Sequence, residues 1–324
     1  MVIRQASAAL PRRACRTSPP AMNDPDPLSA AALIDSTADP AALDALQAFV
    51  ERHPRLFVLT GAGISTDSGI PGYRDRNGQW MRSQPIQYQE FVGSEQARRR
   101  YWARSMLGWP VVGRARPNAA HLALARIGAA GRIGRLVTQN VDGLHQRAGS
   151  ADVIELHGGI DGVTCLACGA HHSRAAIQLT LEADNPALLA VEAAPLADGD
   201  AQLEERAVLD AFRVPDCPIC GGMLKPAVVF FGENVPRERV AAAALALDEA
   251  DAMLVVGSSL MVYSGYRFCV WAGQRGKPVA ALNLGRTRAD PLLALKVEVP
   301  CGPALDALAG RLGLGGGPAG HLPA

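Results

Sequence analysis

Leu56-Phe57-Val58-Leu59-Thr60-Gly61-Ala62-Gly63-Ile64-Ser65, residues 56–65, sets a strand-forming run directly before a glycine-rich turn. A continuous apolar run of this length predicts a strand covered on both faces, as in parallel sheets. Gly61 and Gly63 let the backbone turn sharply and bring its N–H groups, with the next helix N-terminus, close to a pyrophosphate. Position 66 is Thr, so the G-x-G-x-x-G pattern is incomplete, and the turn alone leaves nucleotide binding open.

Outward from this stretch, short apolar runs alternate with helical patterns. Further strands are expected at 135–138, 153–155, 227–231, 253–257, 279–284 and 297–299. Helices are expected at 41–52, 94–107, 118–128, 236–249, 264–274 and 303–312. Buried strands separated by helices predict an α/β fold: a Rossmann-like parallel sheet with helices on both faces. Residues 158–226 interrupt the rhythm with more Asp, Glu, Pro and Gly, and read as a smaller inserted module. The expected division is 31–157 with 227–313 for the sheet domain and 158–226 for the insertion. Residues 1–30 form a disordered tail or a mis-set start with Met22 as initiator, and 314–324 a second tail.

Two other strand ends carry polar groups suited to a nucleotide. Gly257-Ser258-Ser259 offers hydroxyls and free amides, and Asn283-Leu284-Gly285 an amide for a ribose hydroxyl. In open α/β sheets ligands gather outside the carboxyl ends of strands, so convergence of these turns with Gly61–Ser65 favours a dinucleotide. Gln139-Asn140-Val141-Asp142 ends a further strand with two amides and a carboxylate. His157, before Gly158, stands at the next strand end, where it reads as a general base or as a structural histidine.

Four of the seven cysteines form two Cys-x-x-Cys pairs, Cys165/Cys168 and Cys217/Cys220. Such pairs fold two thiolates onto one cation, and together complete a four-sulfur structural zinc site; a disulfide framework is the alternative. The 48 residues 169–216 between the pairs exceed the roughly 15–20 of a compact zinc ribbon. Cys15, Cys269 and Cys301 lack neighbours for a second, open metal site, which argues against a zinc-containing dehydrogenase.

The bulk numbers exclude other classes. A net charge of +1 over 324 residues gives no general pull towards nucleic acid or anionic membrane. No apolar run reaches the roughly 18 residues of a membrane span. The acid-poor start with Arg4, Arg12, Arg13 and Arg16 leaves two locations open: cytoplasmic, or the mitochondrial matrix if it is a transit peptide.

The ordered set resembles the sirtuin (Sir2) family. It comprises Gly61–Ser65, Ser68-Gly69-Ile70-Pro71-Gly72-Tyr73-Arg74, Thr138–Asp142, His157-Gly158, both cysteine pairs, Lys225-Pro226, Phe231-Gly232-Glu233 and Gly257-Ser258-Ser259. The likeness covers about residues 35–312. Arg100–Arg104, Gly108-Trp109-Pro110, Asp198-Gly199-Asp200 and Val262–Phe268 are similar to the class II branch, which contains the mitochondrial lipoamidase and ADP-ribosyltransferase.

The resemblance implies an NAD-dependent deacylase that moves an acyl group from lysine to ADP-ribose, with release of nicotinamide. NAD is then a co-substrate, one Zn2+ is structural, and acyl-lysine proteins are the substrates. His157 would deprotonate the ribose diol. Asn140 and Gln139 would hold ribose hydroxyls and water, and Asp142 would accept the nicotinamide amide. Ile70, Tyr73 and Val141 would wall the nicotinamide pocket, with Arg74 by the phosphates. Gly61, Ala62, Gly63, Ile64, Ser65, Gly257, Ser258, Ser259, Asn283, Leu284, Gly285 and Cys301 complete the expected NAD contacts. Val228 to Phe231, with Phe230, offers an edge for a peptide strand. Tyr101 and Arg104, one helical turn apart, resemble the pair with which the desuccinylating class grips an acidic acyl group; a packed Tyr beside a surface Arg is the alternative. Protein ADP-ribosylation shares the first chemical step, and a non-catalytic NAD-binding sensor would keep the same turns. Both stay open.

Overall fold

Alternate residues of each central strand feed two different hydrophobic cores. Leu56 and Val58 of β1 (Leu56–Thr60) join one core and Phe57 and Leu59 the other. Leu136 and Val137 of β2 (Ile133–Thr138) divide in the same way. Such an all-buried strand is what a sheet covered on both faces requires. One face is closed by the helices Pro40–Arg52, Ala119–Ala129 and Cys301–Arg311. The other is closed by Arg237–Glu249 and Tyr263–Gln274. The computed structural model describes residues 40–81, 85–191, 196–203 and 206–315, so the expectations for 1–30 and for most of the second tail fall outside it.

β3 (Ile154–Glu155) flanks β2 on one edge, and β4 (Gly158–Cys165), β5 (His171–Ser173) and β6 (Leu224–Val228) form a separate antiparallel sheet ordered β5-β4-β6. The chain then returns through β7 (Ala252–Val256), β8 (Val279–Leu282) and β9 (Leu295–Val297). The large sheet is parallel and ordered β3-β2-β1-β7-β8-β9. The strand order therefore reverses at β1, the place where a doubly wound sheet opens a ligand crevice.

The strand expected at 297–299 lies at Leu295–Val297, and two larger expectations shift. The strand expected at 227–231 lies at Leu224–Val228 and joins the small sheet. Pro226 within it cannot donate to a ladder and is tolerated because β6 is an edge strand. The helix expected at 94–107 runs on as Glu95–Arg114 through Pro110. Proline deprives the carbonyl four residues back of its partner. Gln178 Nε2 supplies the missing bond to Met106 O at 2.9 Å.

Candidate active site

Gly61, at the end of β1, cannot carry a side chain, because a Cβ there would stand 2.7 Å from Ser258 Cβ. At Gly63 it would meet Gly257 O at 2.8 Å, and Gly63 N–H donates to that same oxygen at 2.8 Å. Gly257 holds φ +60 with Ile64 N 2.4 Å from its would-be Cβ. The turns after β1 and β7 are thus packed backbone on backbone, which only glycine allows.

These turns line a cavity of about 500 Å³. Of the residues expected at a nucleotide, Gly61, Ala62, Gly63, Tyr73, Arg74, Gln139, Asn140, Val141, Gly257, Ser258, Ser259, Asn283, Leu284 and Cys301 form its wall, with His157. Ile64, Ser65, Ile70, Asp142 and Gly285 stand behind it. Ile64 belongs to the sheet core and Ile70 to a cluster with Val141 and Ile160, because their apolar side chains find closed packing there. Ser65 is buried and donates to Asp142 Oδ2 at 2.7 Å, while its oxygen accepts from Asn140 Nδ2 at 3.0 Å. Asn140 Nδ2 also donates to Gly61 O at 3.1 Å. Gln139 Nε2 donates to Ser258 Oγ at 2.7 Å, tying the ends of β2 and β7 together. The Cys301 thiol is pushed up to about 12 by burial and is neutral.

His157 is set by the passage between the sheets. Leu156, fully buried, donates its N–H to Thr138 O at 2.9 Å, and His157 O accepts from Val229 N at 2.8 Å. Gly158 at φ +83 turns the chain where a Cβ would meet Ala227 O at 2.1 Å. His157 Nδ1 lies 2.8 Å from Gln139 O. A carbonyl only accepts, so Nδ1 carries the proton and Nε2 holds the lone pair. Ser264 Oγ stands 2.8 Å from that Nε2. Burial pulls the imidazole below its ordinary range; the Gln139 bond opposes this and Arg239 and Arg267 add to it. His157 is therefore a neutral base near pH 7.

A model of the Sir2 family matches residues 61–264. The chain belongs to the Sir2 family. "NAD-dependent protein deacetylase" of Xanthomonas campestris pv. campestris (strain 8004) is 61% identical over 261 residues, 81% of this chain and 89% of that one. "NAD-dependent protein deacetylase 2" of Bradyrhizobium diazoefficiens is 60% identical over 266 residues, 82% and 97% of the two chains. A solved Sir2 structure with a p53 peptide and NAD+ superposes with a TM-score of 0.65 at 29% identity, covering 84% of this chain and 99% of that one. Another, bound to a propionylated peptide, gives 0.66 at 28% identity with the same coverage.

In this Sir2 chain the four thiols Cys165, Cys168, Cys217 and Cys220 lie within 4.8 Å of one another. Cys165 Sγ is 3.5 Å from Cys220 Sγ, and Cys168 Sγ 3.9 Å from Cys217 Sγ. A tetrahedron with Zn–S of about 2.3 Å has sulfur edges of about 3.8 Å, so the set fits zinc. All four cysteines are free, which removes the disulfide alternative. Gly169 and Gly221, at φ +74 and +70, turn the chain behind the ligands. His172 Nε2 stands 3.5 Å from Cys217 Sγ as a hydrogen-bond partner of a ligand. At about 3.3 Å per residue, β4 places Cys165 roughly 25 Å from His157. Zinc there would hold the small sheet, and none of its four ligands lines the cavity.

A second cavity of about 210 Å³ shares Tyr73, Trp80, Val141 and Val228–Phe231 with the first. Tyr73, Trp80 and Phe231 meet edge to face at the junction, with centroids 5.7–6.1 Å apart. Arg74 stacks on Trp80 at 3.7 Å, and burial lowers its pKa. Tyr101 and Arg104 both line the smaller cavity. Tyr101 packs on Phe91 and Phe230, and burial raises its pKa well above the usual phenol range. The 228–231 edge is largely spoken for. Val228 O accepts from Lys225 Nζ at 2.5 Å, Phe230 N donates to Glu233 Oε2 at 2.8 Å, and Phe231 O accepts from Tyr88 N at 2.8 Å.

Sequence reasoning missed Ser264, Arg267, Trp80, Glu233 and Arg286 as cavity residues. Nothing local marks a serine in the first turn of a helix as a partner of a histidine 107 residues away. The sequence assigns Lys225 no role. It is buried, pairs with Glu233 Oε2 at 3.1 Å and, with its pKa lowered chiefly by desolvation, fixes the segment between the cavities. Among the described residues, no helix is long and apolar enough to cross a membrane.

Proposed function

We propose that the protein is an NAD-dependent protein-lysine deacylase that passes the acyl group of a modified lysine to ADP-ribose and releases nicotinamide. The observation that carries this reading is a half-buried, neutral His157 in the wall of a nucleotide-sized cavity that shares Tyr73, Trp80 and Val228–Phe231 with a smaller, mostly apolar one. The Gly61–Ser65 turn and the β7 and β8 ends would hold NAD, with Asn140 and Gln139 at the ribose, and the acyl-lysine would enter past Tyr73 and Phe230.

In the first step the acyl oxygen bonds to the ribose carbon as the carbon–nitrogen bond to nicotinamide breaks. The leaving ring keeps the electron pair and departs neutral. His157 Nε2 then takes a ribose hydroxyl proton, so that oxygen can attack the acyl carbon. Water completes the transfer, and the lysine amine leaves. A base tuned to be neutral near the operating pH serves this step. The inserted segment 158–226 with its zinc would act as a structural module beside this cleft. The relatives' names and the peptide-bound Sir2 structures support the reading.

Mass spectrometry of products from NAD and a panel of acyl-lysine peptides tests it. Free lysine, nicotinamide and acyl-ADP-ribose are expected in equal amounts, with His157→Ala slowing turnover by at least about a hundredfold. ADP-ribose attached to protein without deacylation would favour the transferase reading. NAD binding with no product would favour the sensor.

A further inference from the structure

The smaller cavity is lined mostly by apolar side chains, and its charged groups are Arg100, Arg104 and Asp200. Arg100 is drawn to Glu90 on the surface. An acyl chain running inward past Phe230 therefore ends near Arg104, and a free guanidinium there would clasp a carboxylate through two parallel bonds. Arg104 is not free. Its Nη2 donates to Asp200 Oδ2 at 2.6 Å and its Nε to Ala201 O at 2.9 Å. Both atoms of the guanidinium's side-on edge, Nε and Nη2, are taken.

Asp200 is held in place by its own segment. Its Oδ1 accepts from Ala201 N at 2.8 Å, and its carbonyl accepts from Leu196 N at 2.8 Å. The backbone of this segment lies directly on the helix Glu95–Arg114 at Gly108, where a Cβ would stand 2.2 Å from Asp200 O. Gly199, at φ +69, fits its turn against Ile160 and Trp109. Ala201 and Leu203 are buried beyond it. The long stretch between the cysteine pairs thus delivers one carboxylate to one arginine.

We propose that Asp200 is a specificity-determining residue: it occupies the carboxylate-binding edge of Arg104, so that the acyl site selects neutral chains over chains ending in a free carboxylate. This rests on the deacylase reading above, and reverses the acidic preference that the Tyr101/Arg104 spacing alone suggests. An acidic acyl chain would have to displace Asp200 or face its charge across a half-buried pocket, where like charges repel strongly.

The test compares kcat/KM for glutaryl-lysine and hexanoyl-lysine peptides of one sequence, in the wild type, Asp200→Asn and Asp200→Ala. Asn keeps an acceptor for Ala201 N–H while removing the charge. The wild type is expected to favour hexanoyl. Each variant is expected to shift the glutaryl-to-hexanoyl ratio towards glutaryl by about tenfold or more, and adding Arg104→Gln is expected to erase that gain. Retained hexanoyl turnover shows that a variant is folded. A wild type that prefers glutaryl overturns the inference even if no variant folds, as does an unchanged ratio in the folded variants. Failure of the wild type on every acyl peptide would instead overturn the deacylase reading, and this inference with it.

Discussion

Ser264 Oγ and His157 Nε2 are 2.8 Å apart, and the proton between them belongs to the serine. The tautomer follows from the other nitrogen, which donates to Gln139 O. In the proposed reaction a ribose hydroxyl would therefore take the place of a hydroxyl already on His157. The Ser264 bond favours neutral imidazole, so losing it raises the pKa of His157. For a neutral hydrogen bond of about 0.5–1.5 kcal/mol, the acid limb of kcat/KM should move up by roughly 0.4–1 pH unit in Ser264→Ala. A pH–rate profile measures this. An unmoved limb would mean that the serine leaves the base in the working enzyme.

Asn140, Ser65 and Asp142 form a directed chain: amide N–H to hydroxyl oxygen at 3.0 Å, then hydroxyl to carboxylate at 2.7 Å. Ser65 lines neither of the two cavities described, so it acts by positioning Asn140 and Asp142. Ser65→Ala removes both bonds and is expected to lower kcat/KM for NAD about tenfold to a hundredfold, with the peptide KM nearly unchanged. Steady-state kinetics with each substrate varied separate the two effects. An equal rise in both KM values would point to general loosening.

Much of this arrangement was legible because sheets and turns leave local marks. The run 56–65 predicted β1 to the residue, and the glycines at 61, 63 and 257 mark backbone contacts that no side chain permits. The pairs that tune the site leave none. Arg104 and Asp200 are 96 residues apart, and Lys225 with Glu233 spans a turn that sequence read as a plain strand. Tyr-x-x-Arg placed Arg104 on the correct helix face but could not show that its charge was already met. Ionic and hydroxyl contacts depend on where a distant loop lands, and periodicity carries no record of that.

His121 and His145 supply a pH dependence of stability. The two rings are buried with centroids 4.8 Å apart, and His145 Nε2 is 2.9 Å from Thr60 Oγ1. Burial lowers His121 to about 4 and His145 to about 3, the latter further depressed by its neighbour. The unfolded chain takes these protons near pH 6.5 and the folded one only near 3–4. Their contribution is thus complete above about pH 6.5 and is lost as pH falls towards 4, at on the order of 1.4 kcal/mol per unit for each ring. Denaturant unfolding between pH 7 and 5 should show this slope, above the range where carboxylates titrate. His145→Gln should roughly halve it, leaving the share of His121; an identical slope would assign the effect elsewhere.

Removing zinc should disable the cavity from a distance. Cys165 lies at the end of β4, and Cys217 shares an apolar cluster with Phe91, Trp102 and Phe230. Without the metal, the four sulfurs lose the cation that binds them together, and the β5-β4-β6 sheet loses its cross-link. The Val228–Glu233 segment that walls both cavities hangs from β6, so it loses its anchor too. The large sheet, with its own two cores, does not depend on the cluster. A strong chelator, or Cys217→Ser, is therefore expected to release one zinc per chain and to lower deacylation at least about tenfold. Hydrogen exchange should rise across 158–228 while β1 and β7 stay protected. Full activity in a metal-free protein, or loss of protection throughout β1, would contradict this division of labour.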